Sequence, residues 1–536
     1  MNRSNVHLLD LPNEMLFGIV KKLDNVDVLY SLFGIINERI DSIAREEIFS
    51  NTLNFASTIG DITVLDSMLD RFCNYILPRI HYNVKCLIVE PTYMERILLA
   101  THYPKLTELK IFNFQRDSSL HYLTGYVSLL FNLDDSSLRH IFRQQIKKLD
   151  LINKDRERAV GSWEEYTKRV YAPILTCFEN LKHLNVVERS IPVYPGLSLR
   201  YLPSSTFSSS TLTYLCINVI TWTDCLCLLD GRLKQLSTLI VKIYRMDTDS
   251  SIDHNLNDLP NLKIFSLIHY GLIEEYDNKI VSLVRRMSYL EKLTLYLRVS
   301  CKRVFIDPIY LINEFSMDMQ RLRSFNFYLS TYNDRNDLVR YLSNNHIEQN
   351  YITTVYHEVS NIVCFSVDTA TYHVFTLPFE FTKLIFIGNI FPNIIFNYVI
   401  ELWVHDVVPF KHEFFQRIAQ AFPLLERFCL SDFSPTSFAA NISSDNIQSH
   451  EIVEYPHLTS LDLTRVGNNG IDQFLNESKT HLPRLAELRI FYEDLRIVTN
   501  DFTREATRRN CANVTQLITG TQIVGSKDYH IYFPLL

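Results

Sequence analysis

Apolar positions along this chain recur in two rhythms, and the change from one to the other divides it. In residues 8–34, LLDLPNEMLFGIVKKLDNVDVLYSLFG, the side chains Met15, Leu16, Ile19, Val20 and Leu23 fall at offsets of one, four, five and eight. That spacing predicts one apolar face of a single short helix. Pro12 suits the first turn, where its missing N–H costs nothing, and Asp10 and Glu14 sit near the positive end of the helix dipole. Asp24-Asn25 offers a cap for a second helix that carries Val28, Leu29, Leu32 and Phe33 and closes on Gly34. A third helix is predicted from Ile36 through Ile40 and Ile43 to Ile48. Three helices this short hold more apolar side chains than they bury among themselves, so part of their surface needs another partner.

Downstream the rhythm changes to a phrase: an apolar residue, two variable ones, an apolar residue, one variable, an apolar residue. Instances include Leu106/Leu109/Ile111, Ile146/Leu149/Leu151, Leu181/Leu184/Val186, Leu212/Leu215/Ile217, Leu236/Leu239/Val241 and Leu262/Phe265/Leu267. The series continues with Leu290/Leu293/Leu295, Leu322/Phe325/Phe327, Phe381/Leu384/Phe386, Val399/Leu402/Val404, Leu425/Phe428/Leu430, Leu458/Leu461/Leu463 and Leu485/Leu488/Ile490; Val84/Leu87/Val89 fits as its first member. The last positions alternate as a short strand, and the first apolar residue plugs the turn that leads into it. One such unit cannot bury itself, so the strands are expected to stack side by side in a parallel sheet. Proline often introduces the phrase (YPKLTEL, LPNLKIF, FPLLERF, YPHLTSL, LPRLAEL), which suits a helix-to-strand junction. Between phrases, Leu120 to Leu130 and Lys411 to Phe422 read as helices or extended connections, with Phe414, Phe415, Ile418 and Phe422 at helical spacing in the core.

Several stretches remain ambiguous by rhythm alone. Between 322 and 381 the run YITTVYHEVSNIVCFSVD is a place for a further strand. Leu384 to Ile400 is uncharged but contains three asparagines and Pro392, which predicts two buried strands joined by a turn and no membrane span. Residues 501–536 read either as a capping helix (FTREATRRN) followed by a last strand (YHIYFPLL), or as a tail.

Composition narrows the class. With 47% hydrophobic and 21% charged residues in 536, the chain is globular and has a large core to build. A net charge of −7 supplies no footprint for phosphate backbones, and the basic stretches Lys154 to Arg158 and Arg504 to Arg509 read as solvated faces. No nucleic acid is expected. Ten scattered cysteines without a C-x-x-C pair predict buried thiols in a reducing compartment, and Asp10 and Glu14 argue against a signal peptide. A cytoplasmic or nuclear location follows as an expectation. Phosphate-cradling glycine loops, nucleophile elbows, H-E-x-x-H and EF-hand loops are all missing from the sequence, and His357-Glu358 and His412-Glu413 each lack a second histidine four residues on. The expectation is a non-enzyme without cofactor or metal.

The phrase resembles the leucine-rich repeat over roughly residues 84–495. Two departures from the family pattern stand out: Phe114, Lys154, Ile220, Tyr244, Tyr270, Arg298 and Val466 occupy the usual asparagine position, and phrase spacing runs from 24 residues (212 to 236) to 40 (106 to 146). The N-terminal stretch resembles an F-box. Leu9, Leu11, Pro12, Glu14, Met15, Leu16, Ile19 and Leu23 match the family's opening, Asp27, Leu29 and Leu32 its second segment, and Asn37 and Arg39 its third.

The resemblance implies an α/β fold: a small N-terminal three-helix F-box (5–50), a helical linker or cap (51–83), an irregular leucine-rich-repeat solenoid with a parallel sheet on its concave face (84–495), and a C-terminal cap or tail (496–536). It implies a substrate-recognition subunit of an SCF-type ubiquitin ligase. The adaptor subunit of that cullin-RING ligase would bind Leu9, Leu11, Pro12, Glu14, Met15, Leu16, Ile19, Leu23, Leu29 and Leu32. Large rigid side chains dominate interfaces, which makes Phe112, Phe114, Tyr244, His269, Tyr270, Tyr328, Phe491 and Tyr492, just beyond the strand phrases, candidates for target binding. The alternative is a non-catalytic scaffold in which the N-terminal helices only cap the repeats.

Overall fold

The computed structural model describes residues 11–56, 62–112, 140–153, 162–188, 196–247, 260–300, 319–334, 352–353, 358–366, 369–408, 410–432, 451–520 and 527–536. The fold is mixed α/β, dominated by parallel sheets, and divides into two compact units: Met1–His269 with Arg286–Glu291, and Tyr270–Arg285 with Lys292–Leu536. Among the described residues no helix is long and apolar enough to cross a membrane.

The first unit opens with four short helices, α1 (Asn13–Val20), α2 (Asn25–Leu32), α3 (Glu38–Ala44) and α4 (Glu47–Ser50). Asp24 caps α2 by accepting the Val26 N–H, and Asn37 caps α3 by accepting from Arg39 and Ile40. The third predicted helix thus begins later than Ile36 and is broken before Glu47. Parallel strands follow: β1 (Thr52–Asn54), β2 (Cys86–Val89), β3 (Glu108–Phe112), β4 (Lys148–Asn153), β5 (His183–Glu188), β6 (Tyr214–Thr221), β7 (Thr238–Arg245) and β8 (Ile264–Ile273).

Equivalent phrase positions stand opposite one another. Leu53, Leu87, Leu109, Leu149, Leu184, Leu215, Leu239 and Phe265 form one continuous row across the strands, all buried. The plugging residues Val84, Leu106, Ile146, Leu181, Leu212, Leu236 and Leu262 are buried as well. Register is carried by the backbone: the carbonyl after each plug accepts two N–H groups from the next phrase. Lys85 O takes Thr107 and Glu108 at 3.0 Å each, and Lys182 O takes Thr213 and Tyr214 at 2.9 Å each. Main-chain donors tolerate sequence drift, which accounts for the irregular spacing without an asparagine ladder.

In the second unit β9 (Lys292–Ser300) and β10 (Ser324–Asp334) are parallel, but β10 then pairs antiparallel with β13 (Thr369–Leu377). The sequence gap does hide a strand, β12 (Glu358–Phe365), with the short β11 (Ile352–Thr353) beside it. Both β11 and β13 pair with β12 antiparallel, so the parallel pattern is interrupted here. A second sheet returns to the phrase: β14 (Lys383–Ile387), β15 (Glu401–Asp406), β16 (Arg427–Asp432), β18 (Ser460–Arg465), β20 (Glu487–Arg489) and β21 (Gln516–Ile518), all parallel, with β17 (Val453–Glu454) and β19 (Thr480–His481) paired separately.

Two expectations need correction here. Only Leu384 to Ile387 of this stretch is a strand; beyond Ile387 the chain buries Phe391, Phe396 and Val399 without regular structure and re-enters the sheet at Glu401. The last segment, read as a strand or a tail, is a helix at Lys527–Tyr532, where Tyr529, Tyr532 and Phe533 pack around Phe502. The helix Glu505–Cys511 precedes it, and the helix His412–Ala421 buries Phe414, Phe415 and Ile418 as its periodicity requires. The stretch 120–130, read as a helix or an extended connection, lies outside the described residues.

Candidate protein-binding surfaces

The apolar residues of α1 separate into two stripes. Leu16 (2% exposed) and Val20 point inward, where Phe17 meets Phe49 edge-on at 5.8 Å. Met15 and Ile19, four residues apart and so stacked on one side of the helix, remain 54% and 42% exposed, and Leu23, in the turn that follows, is 54% exposed. Leu11, ahead of the helix, is half-buried, and Pro12 and Glu14 are exposed. The single face predicted from sequence is therefore two faces.

Everything around α1 holds this presentation in place. Arg39 donates to the Leu11 carbonyl and to Asn13 Oδ1, fastening α3 to the start of α1. Asn25 Nδ2 donates to Ile48 O at 3.1 Å and Thr52 O at 2.9 Å, which ties α2 to α4 and β1. Gly34 closes α2 with φ +75°, a backbone that L side chains rarely adopt, and a Cβ there would meet Tyr75 Oη at 2.5 Å. Val26, Val28, Leu29 and Phe33 are buried, Tyr30 stacks on Phe72, and Arg71 donates to Phe33 O at 3.1 Å. Phe72 belongs to a helix running from Ile62 through a π turn at Phe72–Ile76 to Ile80.

Of the residues expected to meet an adaptor, Leu16 and Leu29 are thus core residues with no surface to offer, Leu32 is half-buried, and Leu9 lies outside the described residues. Ile36, not expected at this surface, is fully exposed.

The aromatic candidates separate in the same way. Tyr328 is buried, 4.4 Å from the stacked ring of Tyr296, and cannot meet a partner. His269 is buried against Ile243 O. Tyr270 is half-buried with its ring 5.0 Å from Tyr296, Phe112 and Tyr492 are half-buried, and Tyr244 and Phe491 are exposed. Phe114 lies outside the described residues.

What the sequence did not single out is a charged row on the second sheet. Lys383, Glu401 and Arg427 hold the same variable phrase position, and the parallel register sets them side by side. Lys383 Nζ lies 2.5 Å from Glu401 Oε1, and Arg427 Nη2 lies 2.7 Å from Glu401 Oε2. Burial works to raise the Glu401 carboxyl, but these two cations outweigh it and hold the group below the ordinary carboxylate range. Trp403, 36% exposed, donates its indole N–H to Glu401 at 2.9 Å. Lys383 lies 4.9 Å from the ring centres of both Tyr270 and Trp403.

Phe386 completes the cluster through a bulge. Its φ of +60° and the register shift between Ile385 and Ile387 turn its ring under the Arg298 guanidinium, 4.8 Å away, and edge-on to Trp403. Arg298 also donates to Tyr270 O at 3.0 Å. Two cations thus flank the Glu401 carboxylate, and Arg298 stands apart over Phe386. The first unit's sheet is balanced by comparison: Lys148 pairs with Glu108 at 3.4 Å, and Lys110 with Asp150 at 3.6 Å.

Behind this cluster, His373 is buried with both ring nitrogens engaged. Nε2 faces the Phe386 carbonyl at 3.0 Å, which can only accept, so Nε2 carries the proton and Nδ1 accepts from Tyr328 Oη at 2.8 Å. Burial, with a further push from the Arg298 charge, lowers the imidazole pKa to about 3. No protein-family model matches this sequence, and no curated protein matches it.

Proposed function

We propose that this protein is a non-catalytic substrate receptor of a cullin-RING ubiquitin ligase: an F-box-like helical module that docks on the adaptor subunit, followed by a degenerate leucine-rich-repeat solenoid that holds a target. The observation that carries the reading is the outer stripe of α1. A helix that buries Leu16 and Val20 while leaving Met15 and Ile19 in water, with Leu23 exposed in the turn that follows, has apolar surface to spare, and such surface rimmed by polar groups marks a protein contact. It occurs inside the segment that matches the F-box pattern, on helices braced by Arg39 and Asn25.

The repeat half of the proposal is supported by register. Leucines from successive phrases fall into one buried row in the first unit, and Leu384, Leu402, Phe428, Leu461 and Leu488 do so in the second. Tethering a target near the charged ubiquitin carrier raises its effective concentration, so no residue of this chain has to perform chemistry.

A scaffold reading has its own observation: α2 and α4 are tied to β1, which is what a cap on the repeats requires. The two readings differ at α1. Mixed with purified adaptor, the wild-type protein is expected to co-elute on size exclusion, and a Met15→Asp/Ile19→Asp variant with unchanged circular dichroism is expected not to. A wild type that stays separate from the adaptor overturns the receptor reading and leaves the scaffold. Each buried side chain contributes about 1.5 kcal/mol, so the double change weakens binding by about a hundredfold.

A further inference from the structure

We propose that an arginine cluster where the helix Ile62–Ile80 packs on α2 binds an acidic segment of a partner protein, whose carboxylates meet Arg71 and Arg79. The site uses other residues than the outer stripe of α1 and goes beyond the adaptor contact. The helix sets the row. Arg71, Tyr75 and Arg79 are four residues apart, a spacing that drifts around an α-helix by about 40° per step, and the π turn at Phe72–Ile76, closing five residues on, takes back part of that drift. Phe72, Cys73, Ile76, Leu77 and Ile80 are buried, and Arg71, Tyr75 and Arg79 are exposed.

Tyr75 meets the ring of Phe33 edge-on at 6.3 Å, and three guanidinium groups gather around this pair. Arg79 lies 3.8 Å from the Tyr75 ring and donates to Tyr75 O at 2.7 Å. Arg45 lies 4.6 Å from the Phe33 ring, and Arg71 donates to Phe33 O at 3.1 Å from a position 5.2 Å from the Tyr30 ring. Only Arg45 has a counter-charge, Asp41 at 2.7 Å. Among the described residues Arg71 and Arg79 meet no carboxylate, whereas Arg96 meets two from the same helix, Asp66 and Asp70. Like charges gathered in this way repel, and contact with aromatic rings offsets only part of that repulsion. Each unpaired guanidinium spends one of its five donors on a main-chain carbonyl, which leaves others for a carboxylate.

Charge and main-chain geometry select the occupant. Two unpaired cations in a chain of net charge −7 are too few for an anionic membrane surface, which takes clusters of about four to eight, or for a phosphate backbone. Phosphate sites also draw on main-chain N–H groups. Here the Gly34 N–H goes to Asp41 at 2.6 Å, and at the start of α3 the Arg39 and Ile40 N–H groups go to Asn37. The cluster therefore offers side-chain charge beside exposed aromatic surface. That suits glutamates or aspartates of a protein segment whose aliphatic stems lie on Tyr75.

The full chain is titrated into a fluorescein-labelled peptide of alternating glutamate and serine, read by anisotropy at low and at high salt, with a glutamine-for-glutamate peptide as control. Affinity for the acidic peptide is expected to fall about tenfold in Arg71→Gln/Arg79→Gln, and in wild type to fall about fivefold or more at high salt. Arg169→Gln, which removes an arginine already paired with Glu165, and Met15→Asp/Ile19→Asp are expected to bind it as wild type does. Urea unfolding of each variant separates loss of binding from loss of fold, and the salt dependence of wild type reads the contact without any substitution. The proposal is overturned if the acidic peptide binds no better than its glutamine control, or if the double arginine variant binds it equally well. It is also overturned if a phosphoserine peptide of equal charge binds more than about tenfold tighter, or if vesicles containing phosphatidylserine bind through the same arginines. Adaptor co-elution is read in the same preparations. Adaptor bound without peptide overturns this site alone, and peptide bound without adaptor overturns the receptor reading alone.

Discussion

Lowering the pH from 7 to 5 should destabilise the second unit through one side chain. His373 is buried and neutral, donating to Phe386 O and accepting from Tyr328 Oη, and its folded pKa is lowered to about 3. In the unfolded chain the same imidazole titrates near 6.5. Between those values the unfolded state takes up a proton that the folded state refuses, so stability falls as the pH drops below 6.5 and continues to fall toward 3. At pH 5 the gap to the unfolded pKa is about 1.5 units, which at 1.36 kcal/mol per unit is a loss of about 2 kcal/mol. Carboxylates held low in this unit, such as Glu401 and Asp472, lose their contribution only below the ordinary carboxylate range and leave this window clear. The measurement is urea unfolding at pH 7, 6 and 5 for wild type and His373→Gln, whose amide hydrogen-bonds without titrating. The difference between the two proteins should shrink by about 2 kcal/mol from pH 7 to pH 5. A difference that stays constant over that range refutes the assignment of a buried, neutral imidazole.

Other consequences test the packing. Leu215→Ala removes one member of the continuous leucine row in the first unit and should cost about 3 kcal/mol in urea unfolding, with a loss below 1 kcal/mol contradicting a close-packed row. Asp224 is buried and accepts the N–H groups of Leu199, Arg200 and Thr221 at 2.6, 2.9 and 2.9 Å. Asp224→Ala leaves three donors without that acceptor and should cost at least about 3 kcal/mol, with faster hydrogen exchange in residues 198–201 as its local signature. Met15→Asp/Ile19→Asp, by contrast, changes only exposed positions and should leave unfolding within about 0.5 kcal/mol of wild type.

The parallel sheets were legible because each phrase carries its own register: a plug, a core residue two variable positions later, and a second core residue after one more. Where the phrase lapses, so does the reading. β13 reads as polar because Thr371, His373 and Thr376 interrupt it, yet all three are buried in an antiparallel ladder. The short strands β1 and β21 carry too few apolar residues to register as phrases, although Leu53 and Leu517 occupy the expected positions. Alternating aromatics in YHIYFPLL imitate a strand, but clustering around Phe502 needs Tyr529, Tyr532 and Phe533 on one side of a helix.

Surface residues were less legible, for two physical reasons. Tyr328 was expected at the surface because it follows a phrase, but β10 runs 11 residues and is buried on both faces around that ring. The Met15 to Leu23 face was counted as one because spacing alone does not say which half of a wide apolar face meets its own chain. The Lys383, Glu401 and Arg427 row had an unused signal: reading the same variable position down successive phrases lists cross-strand neighbours. That reading also yields Glu108 and Lys148 in the first unit.

The claim on which the account turns is that the outer stripe of α1 is kept for a foreign chain. Hydrogen exchange of the full-length protein with and without purified ligase adaptor tests it most directly. The account predicts new protection confined to peptides covering residues 11–33, and none when Met15→Asp/Ile19→Asp is used. Unchanged exchange of that segment at saturating adaptor, or protection that persists in the variant, contradicts it.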